Sequence, residues 1–349
     1  MKVGFSHRAA LAGLAVMAAC GLLTGLDANA QNVAEFYRGK RVNMVISGSV
    51  GGGYDQYARL IAKHMPRHIP GEPTITVQNM VGAEGLRAAE YLFAIAPQDG
   101  TVIGGLQRNN GIIRFYEPDN PNIRFDPRAF HWLGSPQQEI GLFIVSVKSG
   151  VKTIDDLKSR EITASSTARN SPSSIYPRIL NAFYGTKIKV IEGYDGSQAG
   201  LLAVERGEVD GHVSGGSSAP FRARIEPWLK AGKAQVIMQL GMERDPAYPN
   251  APTALELAPS PDARQIFEIA FVEQVMGRPF VVPPRVPADR VQALRAAFDA
   301  TMKDPAFLAD AEAQKVEIAP VSGETINALL DKVYAAPPDV AGRIRDILK

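Results

Sequence analysis

Apolar positions along this chain fall into two successive series of strand-like and helix-like segments. In the first, residues 42–46 form a continuous apolar run. Ala58, Leu60, Ile61 and Met65 then recur at helical spacing over 55–65, where Pro66 ends the helix. Residues 74–78 alternate as a strand, 86–94 read as a helix, and 101–106 as a third strand. This β-loop-α-β-loop-α-β order predicts a parallel sheet with ligands near the carboxyl ends of its strands. A second series follows with strands at 142–147, 161–165, 187–191, 209–213 and 235–240. Between them lie a helix start of the [ST]-x-x-[DE] kind at Thr153-Ile-Asp-Asp156 and helices ending at Tyr184, Arg206 and Leu229. Pro246, Pro249, Pro252, Pro259 and Pro261 mark a change of region. Beyond them, 280–287 reads as a strand running into a turn, and 289–302, 305–314 and 322–334 as the final helices.

Small polar residues interrupt both series at matching places. After the first strand comes Ser47-Gly-Ser-Val-Gly-Gly-Gly-Tyr-Asp55, in which Gly51, Gly52 and Gly53 let the backbone take positive φ and approach a bound group closely. The helix that follows, capped on this reading by Asp55, presents unpaired N–H groups and the positive end of its dipole, a corner that favours an anion. Asn79-Met-Val-Gly-Ala-Glu-Gly85 is a second loop of this kind. The later series carries Ser165-Ser-Thr-Ala-Arg-Asn-Ser-Pro-Ser-Ser174, Glu192-Gly-Tyr-Asp-Gly-Ser197 and Gly215-Gly-Ser-Ser218. The chain therefore reads as an α/β protein of two similar lobes facing each other across a cleft.

The 349 residues suffice for two ordinary domains, and 45% hydrophobic with 21% charged is a normal soluble composition. Net charge is only +2 and no basic block is interleaved with aromatics, which argues against nucleic acid as a partner. Residues 1–30 read as a cleaved export signal: Lys2, His7 and Arg8, an apolar run from Ala9 to Leu26, and the A-x-A-like Ala28-Asn29-Ala30, with Gln31 as the mature start. Cys20, the single cysteine, lies inside that segment, so the mature chain has neither disulfide nor thiol chemistry. Met17-Ala-Ala-Cys20 also resembles a lipoprotein cleavage box with Met where Leu is usual, the less favoured alternative.

Gly51-Gly-Gly-Tyr-Asp55, Gln78-Asn-Met-Val-Gly-Ala83, Pro97-Gln-Asp-Gly-Thr101, Tyr194-Asp-Gly-Ser197 and Gly207-Glu-Val-Asp210 occur in order along the mature chain. Each motif is weak alone; in this order and spacing they resemble the tripartite tricarboxylate transporter receptors, the extracytoplasmic Bug proteins. The resemblance implies a periplasmic binding protein of the type II, Venus-flytrap class. Residues 31–138 plus 243–349 would form lobe one and 139–242 lobe two. It further implies that loops of both lobes hold a carboxylate through backbone N–H groups and hydroxyls, and that the loaded receptor delivers it to a membrane permease. The chain departs from the family at the first loop, where members usually have Pro-Phe-Ala-Pro before the glycines and Thr or Ser after them. Here Tyr54 stands in the latter place. Ser174 occupies a place where many members have His, and Arg169 lies on the same loop.

Candidate ligand contacts on lobe one are Ser49, Gly52, Gly53, Tyr54, Asp55, Ala83, Glu84 and Arg108. On lobe two they are Ser166, Arg169, Asn170, Ser171, Ser173, Tyr194, Gly196 and Ser214. Arg169 is the strongest side chain among them, because a guanidinium can fork onto a carboxylate with two charge-assisted hydrogen bonds; its plain alternative is a solvated loop arginine. The loop serines either reach the ligand or only cap the next helix. Asp55 reads better as a cap than as a base. A dinucleotide site lacks its third glycine, and no Gly-Lys-Ser/Thr phosphate loop is present. His64 and His68 stand four apart, but Pro66 breaks the helical geometry a shared metal needs, and no metal or cofactor is expected. His131 and His212 read as packing residues. No Gly-x-Ser-x-Gly elbow and no concentrated carboxylate pair advertise catalysis. The expectation is a monomeric, non-enzymatic receptor for a small organic anion; a ligand sensor acting on a membrane partner or a secreted enzyme are the alternatives. An amino-acid ligand would need an anionic partner such as Asp55, Glu84 or Asp195.

Overall fold

The computed structural model describes residues 32–169, 171–214 and 219–348. The expected export signal with Cys20, the candidate Asn170 and the 215–218 loop lie outside the described residues. Two sheets organise the fold. The first has six strands, β1 (Arg41–Ile46), β2 (Thr74–Asn79), β3 (Val102–Gly105), β4 (His131–Ser135), β10 (Phe280–Val282) and β11 (Val321–Ser322), in the order β11-β4-β10-β3-β1-β2. The second has five, β5 (Gly141–Ser146), β6 (Glu161–Ser165), β7 (Lys187–Ile191), β8 (Gly211–Val213) and β9 (Ala234–Leu240), in the order β7-β6-β8-β5-β9.

The expectation of a parallel sheet needs correction: both sheets are mixed. β1 pairs in parallel with β2 and β3, and β6 with β7 and β8, as the two βα series require. However, β10 returns from the distant C-terminal region to enter antiparallel between β3 and β4, and β5 runs antiparallel to β8 and β9. Hydrophobic periodicity reports that a strand is half or fully buried, not which way its neighbour runs.

Register decides where the loops emerge. Ile46 lies opposite both Asn79 and Gly105, so three segments leave the first sheet at one edge. Ser165 lies opposite Ile191 and His212 in the second sheet, with the same consequence.

Several boundaries shift for local reasons. The helix expected over 55–65 is Gly53–His64, and Pro66 sits inside a tighter turn, Met65–His68, that continues it. The 86–94 segment is α-helical only over Leu86–Glu90 before widening into a π turn, Tyr91–Ile95. At 153–156 the helix is a single turn, Asp156–Ser159, because the Asp156 carboxylate gathers the N–H groups of Lys152 and Thr153.

The proline-punctuated region conceals the most buried helix, Pro261–Met276, which the sequence reading leaves unassigned. Ser260 accepts the Ala263 N–H, Pro261 occupies the first turn and Gly277 follows the last residue. Its Ile266, Phe267, Ala270 and Phe271 are fully or almost fully buried. It packs against the helix Gly323–Tyr334 on one side and the helix Pro172–Tyr184 of the second series on the other. One apolar cluster consequently contains Val45 of the first sheet, Phe143 of the second, and Phe267 and Phe271 between them. Each such phenylalanine contributes about 1.5–3 kcal/mol by burial.

Candidate functional site

Segments leaving both sheets enclose a cavity of about 220 Å³. Tyr54 comes from the helix after β1, Glu84 from the turn after β2, and Gln107, Arg108 and Asn109 from the segment after β3. Thr167, Ser171 and Pro172 come from the loop after β6, opposite. Glu273 and Arg278 complete the lining from the end of the helix Pro261–Met276.

Two arginines dominate the floor. Arg108 Nη1 donates a hydrogen bond to Glu139 Oε2, and Arg278 Nη2 forms an ion pair with Glu139 Oε1 at 2.7 Å. The Glu139 side chain is 2% exposed, against 13% and 12% for the arginines, so one hidden carboxylate holds two guanidinia at the cavity wall. Burial works against both positive charges, but Glu139, with Tyr54 and other neighbours, outweighs it; both guanidinia titrate above ordinary arginine. The triad keeps one net positive charge. The Arg278 guanidinium also stacks 4.4 Å from the Tyr54 ring, and its Nε has no hydrogen-bond partner among the described residues. Tyr54 Oη in turn accepts the Arg108 N–H at 3.2 Å.

Backbone geometry makes this approach possible at two points. A Cβ on Gly53 would lie 3.3 Å from Arg278 Nη2, so the glycine leaves room for the guanidinium over the helix start. Gly277 has φ +49 and a Cβ there would fall 1.8 Å from the Gln137 carbonyl oxygen, which no backbone adjustment relieves cheaply. Arg278 is aimed from that junction, where its N–H donates to Ser135 Oγ at 2.9 Å.

Glu273, also in the lining, is wholly buried. Tyr176 Oη donates to its Oε1 at 2.9 Å and itself accepts from Gln274 Nε2 at 2.7 Å, while Glu273 Oε2 has no partner among the described residues. Burial pushes the Glu273 carboxyl up to about 7, against the opposing pull of Arg108.

No protein-family model matches the chain. A curated relative, the UPF0065 protein in the gbd 5′ region of Cupriavidus necator, is 26% identical over 259 residues, 72% of this chain and 74% of that protein. The crystal structure of a TctC solute-binding protein from Polaromonas superposes with a TM-score of 0.66 at 16% identity, covering 89% of this chain and 99% of that one. This is the two-lobe fold of the TctC solute-binding proteins. MatC from Rhodopseudomonas palustris with bound malate has it too, with a TM-score of 0.61 at 19% identity over 88% of this chain and 99% of that one. The resemblance read from five weak motifs in order is borne out.

Tyr54, Glu84, Arg108 and Ser171 are the expected residues that line the cavity. Ser49 and Gly52 lie in the preceding turn and Gly53 opens the helix; among the three glycines only Gly51 takes positive φ, +77. The expectation that Asp55 caps the helix is corrected: Gly52 is the N-cap residue and Asp55 lies inside the first turn. The Asp55 carboxylate instead accepts from Gly51 N, Arg59 Nε and Asn79 Nδ2, each at 2.9 Å, which ties the two glycine loops together and holds its carboxyl down at about 2. Ala83 is exposed at φ +47 beside Glu84 at φ +51, a left-handed pair flanked by Gly82 and Gly85.

Across the cleft, the hydroxyls of Ser166, Ser171 and Ser173 stand 2.8–3.2 Å apart and knit the loop to itself; Ser171 is the N-cap residue of the helix Pro172–Tyr184, but its side chain makes no capping hydrogen bond. Arg169 is exposed and is not among the lining residues. Tyr194 donates its backbone N–H to Ser166 O and packs beside a separate apolar cluster, with Gly196 exposed next to it. Ser214 is buried, continuing the β5–β8 pairing through Leu142. Of the histidines, His64 lies 2.9 Å from Asp310, His68 2.9 Å from Asp304, and His131 3.0 Å from the Pro284 carbonyl. His212 is buried with Nδ1 2.9 Å from Ser165 Oγ; burial lowers it to about 4 and keeps it neutral.

Glu139, Glu273 and Arg278 were not anticipated. The last two had a signal: Ser260-Pro261 followed by an apolar run to Met276 and then Gly277 is a capped helix pattern, and a Glu and Gln inside it are polar residues with nowhere to go but a site or a network.

Proposed function

We propose that this chain is an extracytoplasmic solute-binding receptor that captures a small organic carboxylate in the Tyr54–Arg278 cleft. Residues 31–138 plus 243–349 act as lobe one and 139–242 as lobe two. Closure of the lobes desolvates the anion and completes its hydrogen bonds. The receptor then delivers its ligand, as a monomer in the periplasm, to a tripartite tricarboxylate-type permease; export by the 1–30 signal supplies the location. The observation that carries this reading is the pair of guanidinia fixed by one glutamate at the cavity wall, with one positive charge left for a ligand. Ser171 and Thr167 add polar groups from the opposite loop, and the malate bound to MatC gives the ligand class to try first. Charge-assisted hydrogen bonds contribute about 1.5–3 kcal/mol each. Three or four of them, less the cost of ordering, give micromolar binding, about −8 kcal/mol. No covalent step is required.

Thermal unfolding against a panel of organic acids tests this. A ligand at a hundred times its Kd stabilises by about 2.7 kcal/mol, a rise in midpoint of roughly 5–10 °C. A panel in which no organic anion moves the midpoint, or turnover of a substrate by the purified chain, would end the proposal.

A further inference from the structure

We propose that the ligand of this cleft carries an ammonium group as well as a carboxylate, with Arg108 and Arg278 taking the carboxylate and Glu273 and Glu84 the ammonium. This deepens the receptor reading and rests on it. Glu139 is spent on the two arginines, yet two further carboxylates, Glu84 and Glu273, line the same cavity. Glu273 is wholly buried, one oxygen receives Tyr176 Oη, and the other has no partner among the described residues. Outside the lining, the buried acceptors Gln274 Oε1 and Asn110 Oδ1 are likewise without partners among the described residues, as are two buried donors, Tyr116 Oη and Arg278 Nε.

Buried acceptors in want of donors call for a donor-rich group, and an ammonium brings three N–H donors and no acceptor. A ligand made only of carboxylates brings the opposite. It would satisfy the arginine wall and then set like charge against Glu84 and Glu273 in a partly desolvated space. The cavity therefore presents both signs, guanidinia from Arg108 and Arg278 and carboxylates from Glu84 and Glu273, with Glu273 close enough to Arg108 and Glu84 to feel the charge of each. A zwitterion matches both signs at once. The rival is a protonated Glu273 that donates to the second carboxylate of a dicarboxylate, and it predicts the opposite preference.

Isothermal titration of the mature chain at pH 7.5 with matched acids decides between them: β-alanine against propionate, 4-aminobutyrate against butyrate, and aspartate against succinate. In at least one pair the amine-bearing acid should bind tenfold or more tighter than its amine-free partner. Glu273→Gln should weaken that acid at least tenfold more than it weakens the partner. Glu84→Gln should act in the same direction, by about threefold or more; Glu84 is exposed at the rim, so this variant serves if the buried substitution prevents folding. Amine-free acids binding as tightly or more tightly in every pair, or variants that weaken both members equally, would overturn the zwitterion proposal and leave the carboxylate receptor standing. Binding of neither member of any pair, nor of any other organic anion, would overturn both.

Discussion

Replacing Glu139 by Gln isolates what the hidden carboxylate does. The substitution keeps the shape and removes the carboxylate paired with both Arg108 and Arg278, leaving two guanidinia side by side without their shared counter-ion. Taking one member out of a buried ion pair costs about 3–5 kcal/mol. The lower end applies here, because the arginine side chains retain 13% and 12% exposure and the cavity admits water. At roughly 2–4 °C per kcal/mol for a chain of this order of size, the midpoint should fall by about 6–12 °C. The ligand response should move the other way. A carboxylate entering the variant finds two unmatched positive charges instead of one, so the midpoint gained on adding a saturating organic acid should exceed that of the wild type. Paired thermal unfolding with and without the acid measures both quantities on one sample. A midpoint within about 2 °C of wild type in the free protein, or a smaller ligand-induced gain, would refute the assignment of Glu139 as the shared counter-ion.

Arg278→Met should behave as the complement: Glu139 stays paired with Arg108, so stability falls less than in Glu139→Gln. Titration should show the organic acid losing about 1.5–3 kcal/mol, a 10–150-fold weaker Kd. Asp55 is held down at about 2, below its unfolded value near 4, so its contribution is present above pH 4 and disappears as pH falls through 2. Denaturant unfolding should therefore show Asp55→Asn weaker than wild type at pH 7, with the gap closing toward pH 2; a constant gap would contradict the three hydrogen bonds assigned to the carboxylate. Glu273 is displaced the other way: raised to about 7, it keeps in the folded chain a proton that the unfolded chain loses near pH 4. Its stabilisation is full below that value and is lost as pH rises through 7, with Arg108, Tyr176, Glu84 and Glu139 as the charged and titratable neighbours. Glu273→Gln should thus gain on wild type between pH 5 and pH 8 in the same unfolding assay, and parallel pH profiles would show that the buried carboxyl does not titrate there.

The amino-acid sequence determined by itself the order of the elements, the two βα series and the glycine- and serine-rich turns at their strand ends, because these rest on local signals: periodicity, caps and residues without a Cβ. From them Tyr54, Glu84, Arg108 and Ser171 could be named as cleft residues before any coordinates were known. It did not disclose the direction of β10 or β5, nor the helix Pro261–Met276, whose apolar and polar residues form no clear amphipathic stripe and follow a run of prolines. Tertiary structure alone decided which charges meet. Glu139 reaches Arg108 and Arg278 from positions 31 and 139 residues away, and Asp55 turned from a helix cap into a tie between two loops. Proximity of that kind leaves no period in the chain; it exists only once the sheets fix where their edges lie, and the chemistry of the cleft belongs to that geometry.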